Sequence, residues 1–206
     1  MSPRALPLLM DRINQASALL VGPGLGFDRN TELLTQEVAA KVEIPVIFDA
    51  DGLRPRVIEL AQKRKPHFGD VVITPHMGEF MRVARISEPD YSAETLLSFS
   101  SIYRVITVLK GANTRICDGK TLLYNTTGGP VLSRGGSGDL LSGLIGGMMA
   151  QSKGDVPTAV AQGVMLHGLA AQRLARDKGQ MMVKTTQMLD YLPDVMRSLG
   201  VNGRSR

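Results

Sequence analysis

The sequence predicts an α/β fold, a mostly parallel sheet flanked by helices in three layers. Three observations carry this. Short apolar runs alternate with amphipathic segments over the first half of the chain. The runs are continuously apolar, as strands buried on both faces are. Polar or glycine-rich pieces fall at the carboxyl ends of successive runs, where open parallel sheets bind ligands.

Taken in order, "MSPRALPLLMDRINQ" opens a helix, its apolar patch interrupted by Pro3 and Pro7. "SALLVG" (17–22) is a strand, "TELLTQEVAAKV" (31–42) a helix, "IPVIFDA" (44–50) a strand and "RVIELAQKR" (56–64) a helix. "DVVIT" (70–74) is a strand, and "GEFMRVAR" (78–85) and "SAETLLSFSSIY" (92–103) are helices. "RVITVLKG" (104–111) is the next strand, and the rhythm implies helices on both faces of the sheet. It then changes: "TRICDG" and "KTLLYNT" are joined by Asp118-Gly119, a strong hairpin signal. "GDLLSGLIGGMMAQ" (138–151) is a helix of small residues, residues 157–179 form a long helix, and residues 186–199 form a last one that Pro193 bends or divides.

With 206 residues and 43% hydrophobic content, the chain supports one substantial core and reads as a single domain. A net charge of +5 is spread along it, and its densest cluster, "QKRKPH" (62–67), reads as a helix end entering a loop, where cationic side chains suit the helix C-terminus. Aromatics are 4% with no stacking pattern, so nucleic acid is not an expected partner. No apolar run reaches membrane-spanning length, and the N-terminus lacks a signal-peptide cleavage site. With Cys117 the only cysteine, an internal disulfide and a thiolate metal cluster are excluded. The expected location is cytoplasmic.

The stretch "LSRGGSGDLLSGLIGG" (132–147) packs six glycines around Asp139. Free N–H groups at a helix start form an anion site, and Gly135, Gly136 and Gly138 allow close backbone approach and positive φ. Two readings of Asp139 stand: a helix cap, or a base beside a bound phosphate that takes the proton of an attacking hydroxyl. Better-known phosphate motifs fail. "TRICDGKT" has Thr114 where a P-loop needs glycine, and Gly22, Gly24 and Gly26 miss the G-x-G-x-x-G spacing. His76 lies on the shared strand edge and reads as a binding residue, with Glu79 as a helix cap. Asp49 and Asp51, two apart in a strand, would share a face and are weak Mg²⁺ candidates. His167 and Cys117 read as packing residues.

In order, "VGPGLG", "DADGL", "TPHMGEF", "VLKGANT", "NTTGGP" and "GGSGDLLSGLIGGMMAQ" resemble the NAD(P)H-hydrate dehydratase family from about Ala18 to the end. The resemblance implies a ribokinase-like fold. It implies an ADP- or ATP-dependent lyase that dehydrates the S epimer of hydrated NADH or NADPH, with Mg²⁺. It places Gly24 and His76 at the hydrated dinucleotide, Lys110, Gly111, Ala112, Asn113 and Thr114 at the adenine nucleotide, Gly138 at its phosphate, and Asp139 at the substrate as base. No protein metal site is implied. The chain departs from the family pattern at Arg54, where Asn is common, and at Gly129, Val131 and Arg134. Family members also carry a strand, a glycine-rich turn and a helix before "GPGLG", so the domain over 1–206 reads as N-terminally truncated relative to them. The sheet edge this leaves predicts a homo-oligomer. The alternatives are a ribokinase-like kinase of the hydroxymethylpyrimidine or hydroxyethylthiazole type, and a nucleotide-binding module with impaired catalysis.

Overall fold

The computed structural model describes residues 4–200. Six strands form one sheet in the order of the chain: β1 (Leu19–Val21), β2 (Val46–Phe48), β3 (Val71–Ile73), β4 (Val105–Leu109), β5 (Arg115–Cys117) and β6 (Leu122–Tyr124). The first four are parallel, and β5 runs antiparallel to both of its neighbours, β4 and β6. Asp118 makes the tight turn between β5 and β6 by accepting the N–H groups of Lys120 and Thr121 at 2.9 and 2.7 Å. Burial works against the Asp118 charge, but these backbone bonds outweigh it and hold its pKa below the usual carboxylate range.

A sequential parallel order has a consequence for the helices. Parallel crossovers are right-handed, so connections that always step to the next strand stay on one face. That face carries α2 (Arg29–Lys41), α3 (Pro55–Gln62), α4 (Met77–Ala84) and α5 (Ala93–Tyr103), with α1 (Ala5–Gln15) packed on α2. The other face is covered by α6 (Ser137–Met149) and α7 (Val156–Lys178). The strand–helix rhythm therefore fills only one outer layer, and the C-terminal third fills the second. Residue parity follows. Val46, Phe48, Val71 and Ile73 point into the first layer, and Ile47, Val72, Ile106 and Val108 into the second. Phe48 and Ile47 are wholly buried, each contributing about 1.5–3 kcal/mol relative to exposure.

The predicted last helix is divided. A tight helical turn over Thr185–Tyr191 hands over to α8 (Leu192–Ser198), whose first turn contains Pro193. The "QKRKPH" cluster lies, as expected, where α3 ends and the loop toward β3 begins. Arg64 is buried, and its guanidinium donates to the carbonyls of Ala39, Ile44 and Gly69 at 3.0, 3.3 and 3.0 Å. It ties the end of α2 to the turn entering β3. Arg134 plays the same part elsewhere. Its guanidinium donates to the carbonyls of Gln180, Met181 and Val183, so it neither faces a phosphate nor stays solvated. Cys117 is buried, with its sulfur accepting the Gly119 N–H at 3.4 Å.

Candidate active site

The loops after β1, β2, β3 and β4 meet at the carboxyl edge of the sheet, and the start of α6 joins them from the second face. Gly22 ends β1 at φ +140°, and a Cβ there would lie 1.7 Å from the carbonyl oxygen of Asp49. Only glycine lets the two loops touch. The Asp51 carboxylate accepts the Gly26 N–H at 2.8 Å, and Arg54 donates to the Gly26 carbonyl at 3.3 Å. This latches the Gly22–Gly26 loop to β2. Gly24 sits at its exposed tip with φ +71°.

Asp49 and Asp51 do not share a face. The chain leaves β2 into a tight turn over Ala50–Gly52, which breaks the alternation of a strand. Asp51 goes to the loop after β1. Asp49 is buried, where its carboxylate accepts Lys110 Nζ at 2.9 Å and the Ala50 N–H at 2.9 Å. Lys110 Nζ also lies 3.7 Å from Glu79 Oε2. An ammonium between two carboxylates suits a site where the bare charge would be costly to bury.

His76 caps α4. Its Nδ1 accepts the Glu79 N–H at 3.3 Å, and Glu79 Oε2 accepts the His76 N–H at 2.8 Å. Glu79 is therefore the predicted cap partner, and its second oxygen lies 3.6 Å from His76 Nε2. With Nδ1 accepting, this network assigns the neutral ring's proton to Nε2. The His76 side chain is 61% exposed at the strand edge.

At α6 the helix cap is Gly136, at φ +81°, and no side chain caps the helix. Asp139 lies in the first turn, exposed, and its carboxylate has no partner among the described residues. The cap reading of Asp139 therefore fails. Of Gly135, Gly136 and Gly138, only Gly136 has positive φ, because Gly138 is already helical. Among the described residues the N–H groups of Gly138 and Asp139 donate to no protein acceptor, as expected for the open start of a helix. A Cβ at Gly138 would stand 3.4 Å from Lys110 Nζ. The lysine thus connects the β2 and β4 ends to the glycine-rich turn.

Gly111, Ala112, Asn113 and Thr114 border a cavity of 520 Å³. Gly128, Gly129 and His167 are on its other walls. Lys110 is not, because its side chain turns to Asp49. His167, read from the sequence as packing, is buried with Nε2 3.4 Å from Ser137 Oγ, so it supports the first residue of α6. Burial pushes its pKa down from 6.5 to about 4. Nothing in the local sequence of α7 distinguishes this histidine, whose partner lies 30 residues away.

Residues 4–194 match the family model described as NAD(P)H-hydrate dehydratase. This chain belongs to that family. The NAD(P)H-hydrate dehydratase family relatives include a bifunctional NAD(P)H-hydrate repair enzyme Nnr of Moorella thermoacetica. It is 36% identical over 207 residues, covering 97% of this chain and 38% of the relative. The ADP-dependent (S)-NAD(P)H-hydrate dehydratase of Listeria monocytogenes is 32% identical, over 92% of this chain and 66% of its own length. The chain thus spans well under half of the bifunctional relative. Among solved structures, the ADP/ATP-dependent NAD(P)H-hydrate dehydratase of Bacillus subtilis co-crystallized with ATP/Mg²⁺ superposes with TM-score 0.75 at 27% identity. That match covers 95% of this chain and 75% of that one. A ribokinase-like superfamily protein of Enterococcus faecalis gives TM-score 0.80 at 27% identity, over 98% and 70%. The dehydratase family and the ribokinase-like fold expected from the motifs are both present.

Proposed function

We propose that the chain dehydrates the S epimer of hydrated NADH or NADPH at the expense of ADP or ATP. The observation that carries this reading is the unpartnered Asp139 carboxylate beside two unpaired backbone N–H groups. A helix start with free donors attracts a phosphoryl group, and a free carboxylate beside it accepts a proton. The Gly111–Thr114 cavity takes the adenine nucleotide, with its phosphates directed to Gly138. Gly24 and His76 face the hydrated dinucleotide.

The chemistry follows from the leaving group. Hydroxide leaves poorly. Asp139 takes the proton of the ring hydroxyl as its oxygen attacks the terminal phosphoryl group. That phosphorus–oxygen bond breaks toward the nucleotide, leaving ADP from ATP or AMP from ADP. The ring nitrogen's electron pair then expels inorganic phosphate, and loss of a proton from the neighbouring carbon restores the dihydropyridine. The N–H groups of Gly138 and Asp139 stabilise charge on the transferring group. Lys110, held by Asp49 and Glu79, keeps a cation next to Gly138.

No group of three or more metal-ligating side chains occurs among the described residues. A Mg²⁺ carried in on the nucleotide phosphates would need no such group and would neutralise phosphate charge there. No helix among the described residues is long and apolar enough to cross a membrane, and a cytoplasmic setting with no nucleic-acid partner completes the reading. A homo-oligomer is proposed because among the described residues β1 pairs only with β2, and Leu8 is 83% exposed on the preceding helix.

The test is turnover. Purified protein is given hydrated NADH with ADP or ATP, and recovery of dihydropyridine absorbance is followed with phosphate release. One phosphate per NADH is expected. Phosphorylation of other alcohols without dehydration would make it a kinase, and nucleotide binding alone would make it a binding module.

A further inference from the structure

A second cleft opens on the same edge, beyond the loops of β1, β2 and β3. It has a volume of 340 Å³, with Phe27, Leu53, Arg54 and Arg82 among its walls. The Phe27 ring is 58% exposed. The Arg54 guanidinium lies 4.1 Å from the ring centroid and that of Arg82 lies 5.2 Å from it.

The charge in this cleft is not balanced. Arg56 and Arg85 share the single carboxylate of Glu59 at 2.8 and 2.5 Å, and Arg29 pairs with Glu32 at 3.4 Å. Among the described residues, neither Arg54 nor Arg82 lies within ion-pair distance of a carboxylate. Asp28, the cap of α2, feels Arg54 only at longer range. Arg54 uses Nε on the Asp51 carbonyl and Nη2 on the Gly26 carbonyl, and Arg82 uses Nη2 on the Leu53 carbonyl. Among the described residues their other donors have no protein acceptor. Two guanidinium groups beside one aromatic ring, with donors to spare, match a phosphate ester attached to a flat base. Guanidinium binds phosphate in a fixed fork, and the ring offers a stacking surface.

We propose that this cleft holds the adenosine half of the hydrated dinucleotide, with Arg54 and Arg82 taking its 2′-phosphate, so that NADPH hydrate is preferred over NADH hydrate. This rests on the dehydratase reading above. The layout supports it. Arg54 donates to the Gly26 carbonyl and Phe27 follows that residue, so the cleft borders the Gly22–Gly26 loop whose Gly24 the proposed function sets at the dinucleotide.

The test uses binding first. With saturating ADP present to fill the nucleotide cavity, adenosine 2′,5′-bisphosphate and AMP are titrated calorimetrically into the full chain. The bisphosphate is expected to bind about tenfold or more tightly, the scale of a charge-assisted phosphate contact. Arg82→Ala, which removes one carbonyl contact and the contact with the Phe27 ring, and Arg54→Lys should each shrink that ratio. In turnover, Arg82→Ala should lower the NADPH-hydrate to NADH-hydrate ratio of kcat/KM by about tenfold. Equal affinity for the two probes, or a ratio that both variants leave unchanged, overturns the proposal. If the ratio instead collapses in Gly138→Val, the phosphate is read at α6 and the proposal is likewise overturned. Absence of turnover with either hydrate would sink the dehydratase reading, while the probe titrations would still decide the cleft.

Discussion

Asp139 differs from the other acids of this edge in having nothing to hold. Asp49 has Lys110, Asp51 has the Gly26 N–H, and Glu79 has the His76 N–H. Changing Asp139 to Asn should therefore leave melting and nucleotide affinity nearly unaltered while turnover drops by roughly 10²–10⁴, the scale of a general base. A variant that melts early but turns over normally would return Asp139 to a structural role. His167 offers the opposite case, a titratable group that is fully committed to the fold. With its pKa at about 4, the folded chain refuses a proton that the unfolded chain accepts below 6.5. Stability is then fully present above pH 6.5 and falls as pH drops toward 4, by up to about 3 kcal/mol. His167→Gln should remove this component, so urea midpoints of the two proteins should converge as pH falls from 6.5 to 4. Parallel curves would show that His167 does not resist protonation. Asp139 was legible because a lone acid in a glycine run stands out in the sequence. The Asp49–Lys110 pair was not, because its two members are 61 residues apart and only the sheet brings them together.

The elements were legible where burial repeats along them. Continuous apolar runs marked the four parallel strands, and Asp118-Gly119 marked the hairpin. The clamps were not, because an arginine beside lysines looks solvated until the carbonyls it meets are known. Arg64 shows this, since its three acceptors come from separate segments. The junction of β1 with β2 is the element-scale feature most sensitive to a single atom. Gly22→Ala would drive a methyl into the Asp49 carbonyl and leave a side chain at φ +140°. We expect a loss of about 3 kcal/mol or more, together with weakened dinucleotide binding, because Asp49 anchors Lys110. Thermal melting and substrate KM check both parts. A variant with wild-type melting would mean that the two loops separate without cost.

At the scale of the molecule, the edges of the sheet decide how it meets copies of itself. β1 is half-buried and, among the described residues, pairs on one side only. With Leu8 exposed on α1, sedimentation velocity is expected to give a homo-oligomer, and Leu8→Lys should shift it toward smaller species. A monomer at every concentration would refute the assembly. The three layers were legible as a class, but which helices build which layer was not, because that depends on strand order, and strand order is set by pairing between distant segments. This division of layers also bears on how the protein is made. Ile47, Val72, Ile106 and Val108 are covered by α6 and α7, which leave the ribosome after all six strands. A nascent chain that has finished β4 therefore holds the loops after the parallel strands and a bare apolar sheet face, the kind of surface that aggregates or engages chaperones. Docking of α6 and α7 closes that face and delivers Asp139, the proposed base, in the same event.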